Sequence, residues 1–385
     1  MHSPFSRFPP APVDPIFAVA QEAKAAGEGV IDATVGVILN EEGKPHVFDC
    51  VRKAAGEWAK TFATGDFSYP PLLGVPAFRE SAMKLIFGRD TGTVASIAAT
   101  GGTGALALNL KLLRLLKIHT AILPVPTWPN HARLLRGNGL ALKDVPYLKS
   151  GKPTIEPLLR KMKSEREPSA VVLQACCHNP TGLDFSEEQW RTLAQELANM
   201  PHVVLLDLAY QGLGGEPDED AAPVRIFREA GVPLLVAWSA SKNHSVYGLR
   251  TGLACAVVHH EEEKKKIEGH YMILTREVHS ASSCAGQEVV ARVQEAYGAE
   301  WRRELAALRE TLARKRKLLS DAVPAFSASL GGKGLFAALP LEREAVLALR
   351  ARNVFLTDDG RINIAGIPLL RMEEFIGKLK SVPGK

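Results

Sequence analysis

Lys242 follows Ser239, Ala240 and Ser241 in a turn, where a lone lysine would ordinarily be read as exposed surface. Its company along the chain argues otherwise. Asp207 is a carboxylate that can hold a ring nitrogen protonated. Tyr210, three residues on, and the amide of Asn179 can bond a ring oxygen, and the indole of Trp128 can cover a flat ring. An amine among such groups can attack a carbonyl carbon and later move a proton. Thr100-Gly101-Gly102-Thr103-Gly104 adds a turn in which backbone N–H groups can approach an anion at a helix N-terminus. Such a turn is as often only a tight bend. Ser239, Ser241 and Arg250 could complete the same anion cage with hydroxyls and a guanidinium. Together these are the groups a pyridoxal ring and its phosphate require.

Such groups must be brought together by a scaffold, and the sequence pattern names one. β-Rich runs at Val94–Ala99, Thr120–Pro124, Ala170–Gln174, Val203–Asp207, Leu234–Trp238 and Gly252–Val258 alternate with helical patterns at Pro76–Phe87, Thr103–Leu116, Glu187–Asn199 and Pro223–Glu229. This rhythm predicts an α/β fold, a mostly parallel doubly wound sheet with helices on both faces. In an open parallel sheet, ligands sit beyond the carboxyl ends of the strands. The glycine turn, Trp128-Pro129-Asn130-His131, His178-Asn179-Pro180-Thr181-Gly182, Asp207 with Tyr210, and Ser239 to Lys242 all fall at such ends. A charged helix from Trp301 to Leu319, then strand-like pieces at Gly334–Leu339 and Arg361–Ile364, point to a smaller C-terminal α+β domain.

Composition excludes more than it assigns. With 47 Lys and Arg against 42 Asp and Glu, the net charge of +5 is spread without a one-sign tail, so nucleic acid is not expected as a partner. The densest charged runs, Glu261 to Lys266 and Arg314 to Lys317, read as solvated helix faces. Cys50, Cys176, Cys177, Cys255 and Cys284 show no metal-ligand spacing, and no metal is expected. Adjacent Cys176 and Cys177 would point opposite ways in a strand. No stretch approaches the ~20 apolar residues of a membrane span, the first residues do not read as a signal peptide, and a cytoplasmic location is expected.

Taken together, VDPIF (13 to 17), Gly36-Val37, Tyr69, GGTGAL (101 to 106), WPNH (128 to 131), CCHNPTG (176 to 182), DLAYQG (207 to 212), SASKN (239 to 243), Arg250 and GRINIAG (360 to 366) give the sequence a specific likeness. It resembles the aspartate and aromatic aminotransferases, class I of the fold type I pyridoxal 5′-phosphate enzymes, over nearly the whole chain. The resemblance implies a homodimer that moves amino groups between amino acids and 2-oxo acids. It implies residues 1–12 as an arm, 13–45 with 301–385 as a small domain, and 46–300 as the large cofactor-binding domain. Lys242 would carry the cofactor as a Schiff base, with Asp207 at the pyridine nitrogen, Tyr210 and Asn179 at the ring oxygen, and Trp128 stacked on the ring. Gly102, Thr103, Ser239, Ser241 and Arg250 would hold the phosphate, with Tyr69 reaching over from a second subunit. His131 would support Asp207, with His178 as a further supporting residue, although a lone histidine is otherwise an ordinary packed residue.

For the substrate, the resemblance assigns Arg361 to the α-carboxylate, where a planar fork matches two oxygens, and places Gly36 beside it. Without that likeness Arg361 reads as surface. Arg276, 34 residues after Lys242, matches the arginine that crosses the interface to a distal carboxylate, which favours aspartate, glutamate and 2-oxoglutarate; aromatic amino acids are the alternative. The sequence departs from the pattern at His279 to Ser283, where a tyrosine and paired prolines are usual, and at Ser245, where a glycine is common. Two other readings stay open on residues alone. A cofactor-binding regulator would need a DNA-binding extension, and none fits in the residues before Val13. A lyase or decarboxylase would keep Lys242 and Asp207.

Overall fold

A twisted sheet of seven strands forms the centre of the chain, in the order Val94–Thr100, Thr251–Val257, Leu234–Ser239, Val203–Leu208, Ala170–Gln174, Thr120–Val125 and Ala141–Pro146. Thr251–Val257 runs antiparallel to both neighbours and every other ladder is parallel. The computed structural model describes residues 3–382 apart from positions 12, 66, 67 and 90. Residues 1, 2 and 12 of the expected arm and 383–385 of the expected small domain therefore lie outside the described residues.

The central strands are buried along nearly their whole length, as a sheet covered on both faces requires. One cover layer includes the helices Pro76–Phe87, Glu187–Leu197 and Ala222–Glu229, whose Phe78, Leu193 and Phe227 reach one core cluster; Gly101–Leu115 packs into a second cluster across the sheet. Local chemistry fixes these ends. Ser186 and Gln189 form a reciprocal capping box on the Glu187 helix, and proline opens the helices at Pro76 and Pro129, where its missing N–H has no helical partner to lose.

The expected strands and helices are present with ends moved by a few residues. The edge strand Ala141–Pro146 escaped the sequence reading because Lys143, Asp144 and Pro146 break its apolar run, as suits a strand paired on one side only. The helices Asp49–Ala63, Pro129–Gly137, Glu156–Ser164 and Ala285–Ala296 also escaped it, whereas the charged run at 261–266 opens helix Glu261–Arg276 as its reading as a helix face implies.

A third cluster gathers Ile31 and Ala33 with Leu319, Phe326, Leu339, Ile362, Phe375 and their neighbours, away from the sheet. Strand Ile31–Asp32 pairs with Val354–Phe355, so the segment before the large sheet and the end of the chain build one body. Helix Gly298–Ala322 joins the bodies: Trp301, Leu305, Leu308 and Leu312 lie in the core beside the sheet, and Leu319 lies in the third cluster.

Of the charged run at 314–317, Arg314 and Lys317 are exposed as expected, but the two residues between them are not. Lys315 and Arg316 are 2% and 6% exposed. Arg316 donates to the carbonyls of Leu330 (3.2 Å), Lys333 (2.9 Å), Gly334 (3.2 Å) and Phe336, because the turn after the helix folds back over it. Cys176 and Cys177 likewise depart from the expectation. They lie past the end of their strand, Cys177 has φ +52°, and the two thiols are hydrogen-bonded to each other. With Asp220 they form a group of three potential ligands within 4.8 Å, but the Asp220 Oδ2 already accepts from the N–H of Gly212 (2.8 Å) and Gly214 (2.9 Å). Among the described residues no helix is long and apolar enough to cross a membrane.

Candidate active site

Because six of the seven strands run the same way, their carboxyl ends meet along one edge of the sheet, and a cavity of about 780 Å³ opens there between the sheet and the third cluster. Its walls include Gly36, Gly102, Thr103, Trp128, Asn179, Asp207, Tyr210, Ser239, Ser241, Lys242, Arg250 and Arg361. Residues separated by as many as 325 positions in sequence, Gly36 and Arg361, thus face one space.

At the floor, Asp207 is 6% exposed. Its Oδ2 meets His131 Nε2 at 2.9 Å, while its Oδ1 is buried without any hydrogen-bond partner. A buried carboxylate oxygen left unpaired is costly, and a protonated ring nitrogen in the cavity would satisfy it. His131 is held in turn by Thr127, whose Oγ1 lies 2.9 Å from Nδ1. Trp128 stands edge-on to the His131 ring at 5.3 Å and forms part of the wall.

Lys242 brings its ammonium to 5.4 Å from the centre of the Tyr210 ring. Burial holds its pKa below the usual lysine range; the charge of Asp207 opposes this and that of Arg250 adds to it. A depressed amine spends more time as the free base that nucleophilic attack and proton transfer need. Tyr210 is fully enclosed and its phenol is pushed well up, by burial first and by Asp207 second. Asn179 donates from Nδ2 to Tyr210 Oη at 3.4 Å, so amide and phenol face one point.

The anion cradle is built where helix Gly101–Leu115 begins. Gly101 has φ +68°, and a Cβ there would lie 2.5 Å from Arg250 Nη2; a Cβ on Gly102 would lie 3.1 Å from Ser239 Cβ. The glycines therefore let a guanidinium and a hydroxyl close on the helix N-terminus, where the helix dipole favours an anion. Ser239 Oγ donates to Ser241 Oγ at 3.0 Å and accepts from the Ser241 N–H at 3.2 Å. The residues present fit a phosphorylated pyridine aldehyde at both ends.

Arg361 is 4% exposed, contrary to the surface reading its sequence context alone suggests. It lies 4.6 Å over the Phe336 ring, and donates to Thr34 O at 2.6 Å and Asn179 Oδ1 at 3.2 Å, with Nε unpartnered. Burial lowers its pKa, with the charge of Tyr210 opposing most strongly. Gly36 sits close by, where a Cβ would meet Phe336 Cζ at 2.8 Å.

Three expected residues are not brought to this cavity by their own chain. Tyr69 is 91% exposed and Arg276 ends the Glu261–Arg276 helix on the surface, both outside the lining. His178 turns away: it stacks on Tyr147 at 3.9 Å, meets Thr181 Oγ1 at 2.9 Å, and burial takes its pKa down to about 3. The sequence reading missed Gln174, Phe336 and Tyr247, which line the cavity. Gln174 was findable, since it ends its strand as the register partner of Asp207. Phe336 and Tyr247 carry no such signal.

A lysine, an unpaired carboxylate oxygen and an anion cradle on the carboxyl edge of this sheet define a pyridoxal-phosphate enzyme of fold type I. The family described as aminotransferase class I and II matches residues 28–379. The aspartate aminotransferase of Pseudomonas aeruginosa is 32% identical over 387 residues, covering 96% of this chain and 97% of that protein. An aromatic-amino-acid aminotransferase of Paracoccus denitrificans is 31% identical over 374 residues, 93% of this chain and 94% of that one. Among solved structures, an aromatic-amino-acid aminotransferase from Burkholderia pseudomallei, covalently bound to pyridoxal phosphate, superposes with a TM-score of 0.93 at 30% identity over 99% of each chain. The chain belongs to the class I and II aminotransferases, pyridoxal-phosphate-dependent enzymes that exchange amino groups between amino acids and 2-oxo acids.

Proposed function

We propose that the protein is a homodimeric aminotransferase in which an amino acid gives up its amino group in one half-reaction and a 2-oxo acid collects it in the next, with aspartate and glutamate as the preferred donors. The observation that carries the site assignment is the single cavity shared by Lys242, the unpaired Asp207 Oδ1 and the buried Arg361. When bound, pyridoxal phosphate supplies an aldehyde carbon that condenses with amines and a pyridine ring that draws electrons from it.

The chain's own groups have separate tasks. Gly102, Thr103, Ser239, Ser241 and Arg250 bind the phosphate; Asp207 keeps a proton on the ring nitrogen; Tyr210 and Asn179 bond the ring oxygen; Trp128 covers one face. Arg361 receives the α-carboxylate, which fixes the bond to the α-hydrogen within reach of Lys242 Nζ. Lys242 would carry that proton through its ε-amine. Tyr69 and Arg276 act on the neighbouring subunit's site, which accords with their exposure outside their own cavity. One guanidinium for each carboxylate is the basis for preferring aspartate and glutamate. Aromatic amino acids are the second reading, favoured by Ile16, Phe17, Val35 and Val37 around the cavity and by the departures at His279 to Ser283. Five free cysteines suit a reducing cytosol.

Two measurements test this. Purified protein with pyridoxal phosphate should show the visible absorption of a lysine-bound cofactor, and borohydride should fix the cofactor to the chain; Lys242→Ala should lose both. A covalent link that survives in that variant refutes Lys242. A panel of amino donors with 2-oxoglutarate should rank aspartate and glutamate above phenylalanine, and the reverse order moves the reading to aromatic substrates.

A further inference from the structure

Gln174 is 9% exposed and closes a chain of hydrogen bonds beneath the cavity. Its Oε1 accepts from the Asn179 N–H at 2.9 Å, and its Nε2 donates to the Asn179 carbonyl at 2.9 Å and to Thr127 Oγ1 at 3.1 Å. Turning the amide over would set nitrogen against N–H and oxygen against carbonyl. The Asn179 backbone therefore fixes which end of Gln174 faces Thr127.

The consequence passes along the chain. Both Gln174 hydrogens are committed, so the Thr127 hydroxyl is an acceptor toward Gln174. Its own hydrogen has one remaining acceptor among the described protein groups, His131 Nδ1 at 2.9 Å. Nδ1 is then bare, and the imidazole hydrogen resides on Nε2, 2.9 Å from Asp207 Oδ2. The reverse arrangement, with Nδ1–H donating to Thr127, strands the hydroxyl hydrogen and turns a bare Nε2 toward a carboxylate. Asn179 also accepts from Arg361 and donates to Tyr210. One glutamine thus links the groups around the ring oxygen and the substrate carboxylate to the carboxylate at the ring nitrogen.

We propose that Gln174 is a positioning residue that sets the His131 tautomer: it obliges His131 Nε2–H to donate to Asp207 Oδ2 and so leaves Oδ1 as the acceptor for the cofactor's ring nitrogen. This rests on the aminotransferase reading of Asp207, but the tautomer belongs to the protein alone. Gln174→Glu is nearly isosteric and reverses the chain. A carboxylate still accepts from the Asn179 N–H yet has no hydrogen for Thr127, so it takes the hydroxyl hydrogen and His131 must protonate at Nδ1.

The test is nitrogen-15 NMR of cofactor-free protein labelled at histidine, with the His131 signals identified by their loss in His131→Asn. Wild-type protein should show a hydrogen on Nε2 and none on Nδ1, and Gln174→Glu should show a hydrogen on Nδ1. In the loaded enzyme the same variant should lose about 10- to 100-fold in kcat, the size of one charge-assisted hydrogen bond, with cofactor retained. Thr127→Val, which removes the hydroxyl that donates to Nδ1, leaves Asp207 holding Nε2–H and should raise the pH at which Nδ1 takes up a hydrogen; an unmoved Nδ1 titration overturns the proposal if Gln174→Glu does not fold. A hydrogen on Nδ1 in the wild type, or an unchanged His131 pattern in a folded Gln174→Glu, overturns the proposal. Wild-type transamination is assayed separately, so failure of the enzyme reading is told apart from failure of the tautomer.

Discussion

Truncating Arg361 and Arg276, the two arginines proposed to meet substrate carboxylates, should produce different patterns of loss, because their surroundings differ. Arg361 is 4% exposed and already donates to Thr34 O and Asn179 Oδ1, so a carboxylate meeting it enters a largely dehydrated place. Removing one partner of such a buried charged pair costs about 2 to 5 kcal/mol. At about 1.4 kcal/mol per tenfold this is a fall of roughly 30- to 5,000-fold in kcat/KM. Arg361→Ala should show it for aspartate, glutamate and phenylalanine alike, since each carries an α-carboxylate. The substitution also strands two acceptors, each worth about 1 to 3 kcal/mol of stability when left unpaired. Arg361→Lys, which keeps the charge but not the planar fork, controls for misfolding and should fall between wild type and alanine. Arg276 is exposed in its own chain, and its removal should alter stability by no more than about 0.5 kcal/mol. If it closes on a distal carboxylate, Arg276→Ala should lose about 2 to 4 kcal/mol with aspartate and glutamate and almost nothing with phenylalanine. The assay is steady-state kcat/KM for all three donors against 2-oxoglutarate, with cofactor content measured for each variant. Equal losses for dicarboxylic and aromatic donors in Arg276→Ala would refute its role. Normal phenylalanine turnover in Arg361→Ala would remove that residue from the α-carboxylate.

Mixed dimers of Lys242→Ala and Arg276→Ala chains should recover part of the wild-type activity toward aspartate, because one site then draws both intact residues from different chains; mixed dimers that form without regaining it exclude a shared site. Acid should destabilise the protein through His178 and His244, whose burial takes both down to about 3 from the ordinary histidine value of 6.5. Their neutral forms support the fold fully above pH 6.5, and this support is lost as pH falls toward 3, at about 1.4 kcal/mol per unit for each. Denaturant titrations from pH 7 to 4 read it, and a flat profile contradicts it. Ser245 holds φ +53° with its hydroxyl buried and unpartnered, so Ser245→Gly should raise stability by about 0.5 to 1 kcal/mol, seen as a higher Tm. A lower Tm would mean the left-handed turn is not strained.

The strand ends were legible because chemistry-bearing residues stand where the apolar runs stop, and Asp207, Asn179, Ser239 and Lys242 needed no more than that rule. Gln174 satisfied the same rule, yet an uncharged amide at the end of an all-buried strand draws no notice until its partners are known. Arg361 was opaque for a different reason. Its environment is made by Thr34, Phe336 and Asn179, which the chain order scatters over hundreds of residues. Arg316 was misread as solvated because charge runs on helices usually are, and only the returning turn at 330–336 covers it. At His279 to Ser283, where the sequence departs from the usual pattern, side-chain hydrogen bonds hold the segment. Ser282 Oγ donates to Ala98 O at 3.0 Å, and Gln287 Nε2 donates to Ser283 O at 2.7 Å while its Oε1 accepts from the Val75 N–H at 2.8 Å.

The grip of Arg316 on backbone carbonyls has a consequence for how the two bodies keep their spacing. The same turn reaches the Asn179 loop through Lys333 N–H to Gly182 O at 2.7 Å, and Asn179 in turn accepts from Arg361. A cation neutralised by carboxylates loosens when acid protonates them or salt screens them. Arg316 is gripped by peptide dipoles, with Asp184 as the carboxylate that acts on its charge from nearby, and its direct bonds to carbonyls leave little for dissolved salt to compete with. The contact between the returning turn and the Asn179 loop is thereby built mostly from main-chain groups, whose dipoles do not titrate.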